Sequence, residues 1–167
     1  MTDEHKDAID NAWRIHGALG DWTGRADAKA SFALTLEAAI LAGVVTLTGP
    51  GHHLHGMHGE LQLTLFWIGV AGLGSGALSA AQAVLPQIRR SDVGNEWANH
   101  FIYFGHVRRW KPDDLTTALK DRDILPMLSK QLIEMGKIAW RKHARVQRSM
   151  VLALIGVAAL VTVYLIK

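Results

Sequence analysis

Aromatic and basic residues are mixed within one stretch of the chain, residues 97–110. Aromatic rings stack on nucleobases and guanidinium groups pair with phosphates, so this composition suits a nucleotide ligand. The candidates for base stacking are Trp97, Phe101 and Trp110. The candidates for phosphate contact are Arg108, Arg109, Arg141, Lys142 and Arg145. An amphipathic helix has the same composition, with its aromatic rings in a core or in the interfacial belt of the membrane and its arginines on lipid phosphates. The pattern by itself favours this second interpretation.

A single carboxylate interrupts the first apolar stretch of the sequence. Glu37 lies about seven residues inside that stretch, which is roughly 10–12 Å along a helix. An ionisable group at that depth in a bilayer costs on the order of 2.5–3.5 kcal/mol and usually has a partner or a function. A similar depth in the next apolar stretch is reached at Ser75 and Ser79. We therefore expect Glu37 to face them and to be either protonated or hydrogen-bonded to one of them. It is a neutral acid that cements helices, a pore-lining or gating residue, or part of a proton pathway.

Four histidines, His52, His53, His55 and His58, follow the same apolar stretch. Imidazoles at this spacing can bind zinc or nickel, but only Glu60 is near enough to complete a ligand set. A solvated polar turn is therefore the favoured interpretation, and no metal or cofactor is predicted. The sequence has no cysteine and no phosphate-binding loop, dinucleotide fingerprint or metalloprotease motif, which argues against an enzyme.

Three apolar segments are long enough, or nearly so, to cross a bilayer as helices: residues 30–47, 63–85 and 150–166. Of the 18 Lys and Arg residues, 4 precede the first segment, 13 lie between Pro86 and Ser149, and none lies in residues 48–62. Basic residues stay on the cytoplasmic side of an inserting membrane protein. The sequence therefore predicts a multi-pass membrane protein with a cytoplasmic N-terminus and an outer Gly/His loop at residues 48–62.

The remaining segments also have a helical pattern, so we predict an all-α protein. Residues 1–29 form an N-terminal amphipathic segment, helical over residues 3–20 and weakened by glycines at its end. Residues 86–149 form a helical cytosolic sensing region, with one helix starting at Pro112. A second helix starts near Asp123 and continues into the third apolar segment, over roughly 60 Å.

Small residues recur at helical spacing in the second apolar segment. One ladder consists of Gly72, Gly76 and Ala80, and the other of Ala71, Ser75, Ser79 and Ala83. Such ladders let helix backbones approach closely in lipid. The contact is either within one chain or between chains of an oligomer.

A short motif lies at the entry to the first apolar segment: Trp22-x4-Asp27-x-Lys29-Ala30-Ser31. Later in the chain follow Asp123, Gln131 and the pair Lys142-His143. Together with the order of the apolar segments, this pattern resembles the transmembrane effector family of Pycsar antiphage systems over nearly the whole chain. The matched positions are Trp22, Asp27, Lys29, Asp123, Gln131 and Lys142. In physical terms, Lys29 suits a snorkelling anchor, and Asp27 either caps the first membrane helix or pairs with a cation from the cytosolic bundle. The other interpretation of this motif is a hinge that couples the cytosolic domain to the first span.

The resemblance implies a non-enzymatic defence effector in the bacterial inner membrane. Such an effector senses a cyclic pyrimidine mononucleotide, cyclic UMP or cyclic CMP, which a partner cyclase makes during phage infection. It then impairs inner-membrane integrity and causes abortive infection. No nucleic-acid polymer is expected as a partner, and a helical chain of this length must build its ligand pocket from helices, within one subunit or between subunits of a homo-oligomer.

Two other functions remain open on the residues alone. One is a passive membrane anchor whose cytosolic helices recruit a soluble partner. The other is a small proton or metal-ion pathway that uses Glu37 and the outer histidines.

Overall fold

The computed structural model describes residues 2–86 and 97–166, and these residues form helices and connecting turns with no β-strand. The helices are α1 (Asp3–Leu47), α2 (Glu60–Val84), a 3-10 turn (Trp97–Asn99), α3 (Phe104–Val107), α4 (Pro112–Asp121) and α5 (Leu125–Ile166). The all-α fold is confirmed, as are the helix start at Pro112 and the long helix that includes the third apolar segment.

Helix α1 is longer than the sequence predicted. Its 45 residues run without a break through the glycines that we expected to end an N-terminal helix. The buried positions explain this, because they recur every three, four or seven residues: Ala12, Leu19, Ala26, Ala30, Ala33, Glu37 and Val44. One face of α1 is therefore packed along much of its length, and that packing outweighs the roughly 1 kcal/mol that each interior glycine costs.

The chain divides into two compact units. The first unit consists of Met1–Thr23 with Pro86–Trp140, and the second of Gly24–Leu85 with Arg141–Lys167. Helices α1 and α5 each contribute residues to both units. The three predicted spans lie within the second unit, and their limits in a bilayer stay predictions.

The second unit depends on close contact between the backbones of α2 and α5. A Cβ atom added to Gly156 would lie 2.8 Å from the carbonyl oxygen of Gly69 and 2.9 Å from the backbone nitrogen of Leu73. A Cβ on Gly72 would lie 3.1 Å from the Cα of Gly156. Small residues are thus required where these helices meet, as is common for helices packed in lipid.

Two apolar layers complete this unit. Ala30, Ala83 and Val146 form one, and Val44, Leu73 and Leu160 form the other, so each layer takes one residue from each of α1, α2 and α5. The predicted ladder of Gly72, Gly76 and Ala80 therefore packs within one chain. The second ladder is divided, because Ser79 and Ala83 are buried whereas Ala71 and Ser75 are exposed.

The outer faces of the three long helices are apolar. Exposed fractions reach 66% for Phe32, 72% for Val45, 64% for Trp67 and 76% for Leu165. Each of the three helices is long and apolar enough to cross a membrane. Because large apolar side chains cover the outside of these helices, the chain is built for contact with lipid and is a membrane protein.

The first unit has its own core. Phe101, Ala118 and Met127 are buried together, so the core joins the stretch before α3 to α4 and α5. Asp123 organises the start of α5, where its carboxylate accepts a hydrogen bond from the Leu125 amide at 3.0 Å. The same carboxylate oxygen lies 3.1 Å from Nε2 of His5 in α1.

The contact at Gly156 predicts a large effect for a small substitution. Gly156→Ala should lower the melting temperature of the detergent-solubilised protein, because the added methyl group meets backbone atoms of α2 and such overpacking costs about 1–3 kcal/mol. Gly136→Ala in the same helix is the matched control, since a Cβ there has nothing within 4 Å. Equal melting temperatures for the two variants would contradict this packing.

Candidate functional site

Trp110 is the centre of an aromatic cluster in the first unit. Its indole Nε1 donates to the carbonyl oxygens of Trp97, at 3.0 Å, and His100, at 3.2 Å. The rings of Trp97 and Phe101 pack edge-on against it, with centroids 6.0 and 6.1 Å away. The guanidinium of Arg122 lies 5.5 Å from the centroid of the Trp110 ring, within cation–π range. These contacts position Trp97 and Arg122 beside each other.

An open pocket of about 500 Å³ lies beside this cluster. Its lining comes from the 3-10 turn and from α4 and the residues at its two ends: Trp97, Ala98, Trp110, Asp114, Thr117, Ala118, Asp121 and Arg122. Arg122 is held in place, because its Nη1 donates to the carbonyl oxygen of Ala98 at 2.8 Å. The pocket thus combines indole rings, one fixed guanidinium and two carboxylates, a set that can contact a base, a phosphate and hydroxyl or amine donors.

The residues predicted to bind a nucleotide fall in four places. Trp97 and Trp110 line the pocket, whereas Phe101 is 7% exposed and belongs to the core of the first unit. Arg108 and Arg109 are exposed and do not line this pocket. The other three, Arg141, Lys142 and Arg145, belong to the second unit.

Sequence reasoning missed Arg122, Asp114 and Asp121. They follow an ordinary amphipathic pattern in and after α4, and no local spacing distinguishes them from solvated charges. Arg122 joins the site only because the chain brings Ala98 and Trp110 next to the C-terminal end of α4. An arginine close to a tryptophan-rich stretch was the one signal available.

Glu37 occupies a buried position in the second unit and is only 2% exposed. Its Oε1 accepts a hydrogen bond from Oγ of Ser149 at 2.7 Å. A Cβ on Gly76 would lie 2.9 Å from the same oxygen, so the carboxyl group packs against α2 at a glycine. Oε2 has no hydrogen-bond partner within the described part of the chain. Glu37 therefore connects α1 to α5 and leaves one buried oxygen unsatisfied.

The predicted hydrogen bond from Glu37 to Ser75 or Ser79 is wrong. Ser79 donates to the carbonyl oxygen of Arg145 at 3.0 Å, and Ser75 is exposed. The prediction compared only the depths of Glu37 in α1 and of the serines in α2 within the bilayer. It did not consider that a residue of α5, Ser149, lies beside Glu37. Because successive residues of a helix are turned by about 100°, Gly76 faces Glu37 while Ser75 points outward.

Arg145 also forms hydrogen bonds within the second unit. Its Nη1 donates to the carbonyl oxygen of Gln82 at 2.9 Å, and its own carbonyl accepts from Ser79. Arg145 thus joins α5 to the C-terminal part of α2 through two hydrogen bonds.

Two family-matched positions form an ion pair in the second unit. Nζ of Lys142 lies 2.5 Å from Oδ1 of Asp27, and Lys142 is 5% exposed. Asp27 lies in the middle of α1, so the alternative that it pairs with a cation is confirmed and the alternative that it caps a helix is wrong. This pair joins α1 to α5 near one end of the layer formed by Ala30, Ala83 and Val146.

The other matched positions have different surroundings. Asp123 begins α5, as described above, and Gln131 lines a small pocket with His100 and Lys130. Trp22 and Lys29 are exposed on α1.

Histidines of the loop between α1 and α2 contact backbone carbonyl oxygens at or near the ends of α1 and α5. His53 donates from Nε2 to the carbonyl oxygen of Tyr164 in the last turn of α5, at 3.1 Å, and its ring contacts the Tyr164 ring. His52 and His55 lie within hydrogen-bond distance of the carbonyl oxygens of Pro50 and Thr48. In the described residues, no group of three or more His, Asp or Glu side chains is arranged to hold a metal ion.

The ion pair predicts an asymmetric pattern of stability. Asp27→Asn should lower the melting temperature more than Lys142→Met, because it leaves a buried ammonium without its anion whereas Asp27 is partly solvated. The double variant should be more stable than Asp27→Asn alone. Asp21→Asn, an exposed acid on the same helix, is the control. A double variant no better than Asp27→Asn would show that the pair is not coupled.

The contact between Glu37 and Ser149 is tested by an isosteric change. Glu37→Gln should leave the melting temperature nearly unchanged, since the amide oxygen accepts the same hydrogen bond. Ser149→Ala should lower it, because a buried acceptor without its donor costs about 1–3 kcal/mol. The exposed Ser75→Ala is the control. A Gln variant as unstable as Ser149→Ala would mean that the acid itself is required.

Comparisons with known proteins agree with this architecture. A family model described as the Pycsar effector protein domain matches residues 11–167, nearly the whole chain. No curated protein sequence and no solved structure matches the chain. The chain therefore belongs to the Pycsar effector family: it is a membrane-embedded effector of antiphage defence, in a system that signals by a cyclic nucleotide from a partner cyclase.

Proposed function

We propose that this protein is both receptor and effector: it binds cyclic UMP or cyclic CMP in the pocket beside Trp110 and then impairs the bacterial inner membrane. It carries out this role by binding alone, without catalysing a reaction. The observation that supports the proposal most directly is the pocket itself, in which Trp97, Trp110 and the fixed guanidinium of Arg122 converge.

The size and lining of the pocket suit a mononucleotide. Its volume of about 500 Å³ falls within the range of roughly 300–1,000 Å³ typical of small-molecule sites. In the proposed complex, Trp97 stacks on the base, and the N–H groups of Arg122 not used on Ala98 contact the cyclic phosphate. The ring of Trp110 is already in contact with Trp97, Phe101 and Arg122. Its main role in the proposed complex is therefore to hold Trp97 and Arg122 in place.

The two carboxylates of the pocket need donors from the ligand. Asp114 and Asp121 repel a phosphate, so the ligand must bind with its phosphate toward Arg122 and its hydroxyl or amine donors toward the acids. A cyclic mononucleotide has a free ribose 2′-hydroxyl, and cytosine adds an exocyclic amine. The acids therefore orient the ligand and select against molecules with several phosphates.

Helix α5 is the element through which we expect ligand binding to act. Ala118 lines the pocket and packs in the core of the first unit with Met127 of α5. A ligand that changes the position of α4 therefore changes the packing of α5. Such a ligand shifts the protein toward another state only by binding that state more tightly.

Membrane damage requires a rearrangement of the second unit or an assembly of several copies. The residues around Leu73, Val44 and Leu160 fill the middle of the three-helix bundle, and Glu37 is enclosed beside Gly76. We therefore propose that permeation does not follow the interior of one resting copy. The proposed orientation places the N-terminus and residues 86–149 in the cytoplasm, where the cyclase product is made, because 17 of the 18 Lys and Arg residues lie there.

The proposal predicts saturable binding of one cyclic pyrimidine nucleotide. Cyclic CMP or cyclic UMP should raise the melting temperature of the purified protein, as expected for a ligand of the native state, while cyclic AMP and the linear monophosphates should not. The same nucleotide should release dye from liposomes that contain the protein. Arg122→Gln should weaken binding at least about tenfold, given about 1.5–3 kcal/mol for a charge-assisted hydrogen bond. Trp97→Leu should weaken it at least about fivefold, given about 1–3 kcal/mol for a stacked base.

Matched variants make this test specific. Lys120→Gln removes a neighbouring cation of α4 that does not line the pocket, and Trp140→Leu removes an exposed indole, so both should bind normally. Arg108→Gln/Arg109→Gln tests the residues that the sequence predicted for phosphate contact. Loss of binding in that variant, with Arg122→Gln unaffected, would move the site away from this pocket. No thermal shift with any nucleotide in folded protein would favour the passive anchor.

A further inference from the structure

The aromatic and basic stretch of the first unit has a second, outward side. We propose that this side binds the anionic headgroups of membrane lipids and holds the first unit at the bilayer surface. We call it the basic–aromatic surface, and it consists of Phe104, Val107, Arg108, Arg109 and Lys111.

The local structure separates this surface from the pocket. Trp97 and Trp110 turn toward the pocket and Phe101 toward the core, whereas Phe104 is 69% exposed and Val107 36% exposed. Helix α3 causes this division, because its four residues bury Gly105 and His106 on one side and present Phe104 and Val107 on the other. The three cations follow within four residues of Val107.

The surface is ordered. The backbone amides of Arg108, Arg109 and Trp110 donate to the carbonyl oxygens of Phe104, His106 and Val107, at 3.0–3.2 Å. The Phe104 ring packs against the Tyr103 ring, with centroids 4.4 Å apart. A protruding aromatic side chain and three cations are therefore presented on or next to a hydrogen-bonded turn.

The cations of this surface are available for a ligand. Over residues 2–86 and 97–166, none of Arg108, Arg109 and Lys111 forms a hydrogen bond or ion pair through its side chain. The acids that follow, Asp113 and Asp114, lie in the first turn of α4, where the positive end of the helix dipole offsets part of their charge, and Asp114 lines the pocket. The surface thus keeps its positive character despite these neighbours.

A lipid surface fits this combination better than a soluble phosphate compound does. Anionic lipids attract each nearby Lys or Arg by about 1 kcal/mol, and aromatic side chains insert at the headgroup level. The exposed Phe104 and Val107 need an apolar neighbour, which a phosphate compound does not supply and the edge of the acyl region does. Because the chain is already anchored by its spans, a weak contact of this kind is effective.

The experiment uses the full chain in lipid nanodiscs. The natural sequence has no cysteine, so Val107→Cys provides one site for an environment-sensitive fluorophore. Its quenching by lipids with a nitroxide near the headgroup is measured in discs with and without anionic phosphatidylglycerol. We expect quenching that depends on phosphatidylglycerol and that falls about twofold or more in high salt, or when Arg108→Gln, Arg109→Gln and Lys111→Gln are combined.

A second triple variant is the matched control. Lys6→Gln, Arg14→Gln and Lys120→Gln remove three exposed cations from other parts of the first unit, and quenching should not change. The thermal shift with cyclic nucleotide should remain in the variant without Arg108, Arg109 and Lys111. Failure of this proposal is thereby distinguishable from failure of the nucleotide proposal.

Three results would overturn the lipid assignment. Equal quenching with and without phosphatidylglycerol would exclude recognition of anionic headgroups. Loss of quenching on addition of inorganic phosphate or cyclic nucleotide at low concentration would indicate a site for a soluble phosphate compound. Protection of the label only when the partner cyclase is added would make the surface a protein interface.

Discussion

The close approach of α2 to α5 is the constraint on which the second unit depends. Helices in lipid gain little from the hydrophobic effect, so they associate by close packing and by hydrogen bonds. Gly69, Gly72 and Gly156 permit the backbone contact. Gly76 then leaves room for the carboxyl group of Glu37, and Ser149 provides its donor. The second carboxyl oxygen has no hydrogen-bond partner among the described residues, which is unusual for a buried polar atom.

The polar contacts of this bundle are unevenly distributed along it. The Asp27–Lys142 pair and the hydrogen bonds of Arg145 come first, followed by a small apolar layer and then by Glu37 with Ser149. Beyond Glu37 the contacts become apolar, around Leu73 and Leu160. The polar residues of the bundle are therefore concentrated toward one end.

In the first unit, one stretch of sequence has an inward and an outward side. Trp110 holds Trp97 and Arg122 in position through its indole nitrogen and its ring. A few residues away, the short helix α3 turns Phe104 and the arginines outward. The two interpretations of this stretch, nucleotide site and lipid-contacting segment, are therefore compatible, because they concern different sides of the same turn.

The sequence predicted the family through the motif around Asp27 and Lys29. It also predicted the all-α fold, the three apolar segments and the helix starts near Pro112 and Asp123, because apolar length, charge position and helix-start residues are local properties. It did not reveal the unbroken α1, since its glycines are tolerated only through packing of one face. Tertiary structure alone decided that Glu37 bonds Ser149 and that Arg122, rather than Arg108, lines the pocket. Such contacts join residues far apart in the chain, and the direction of a side chain on a helix follows from which neighbours pack against it.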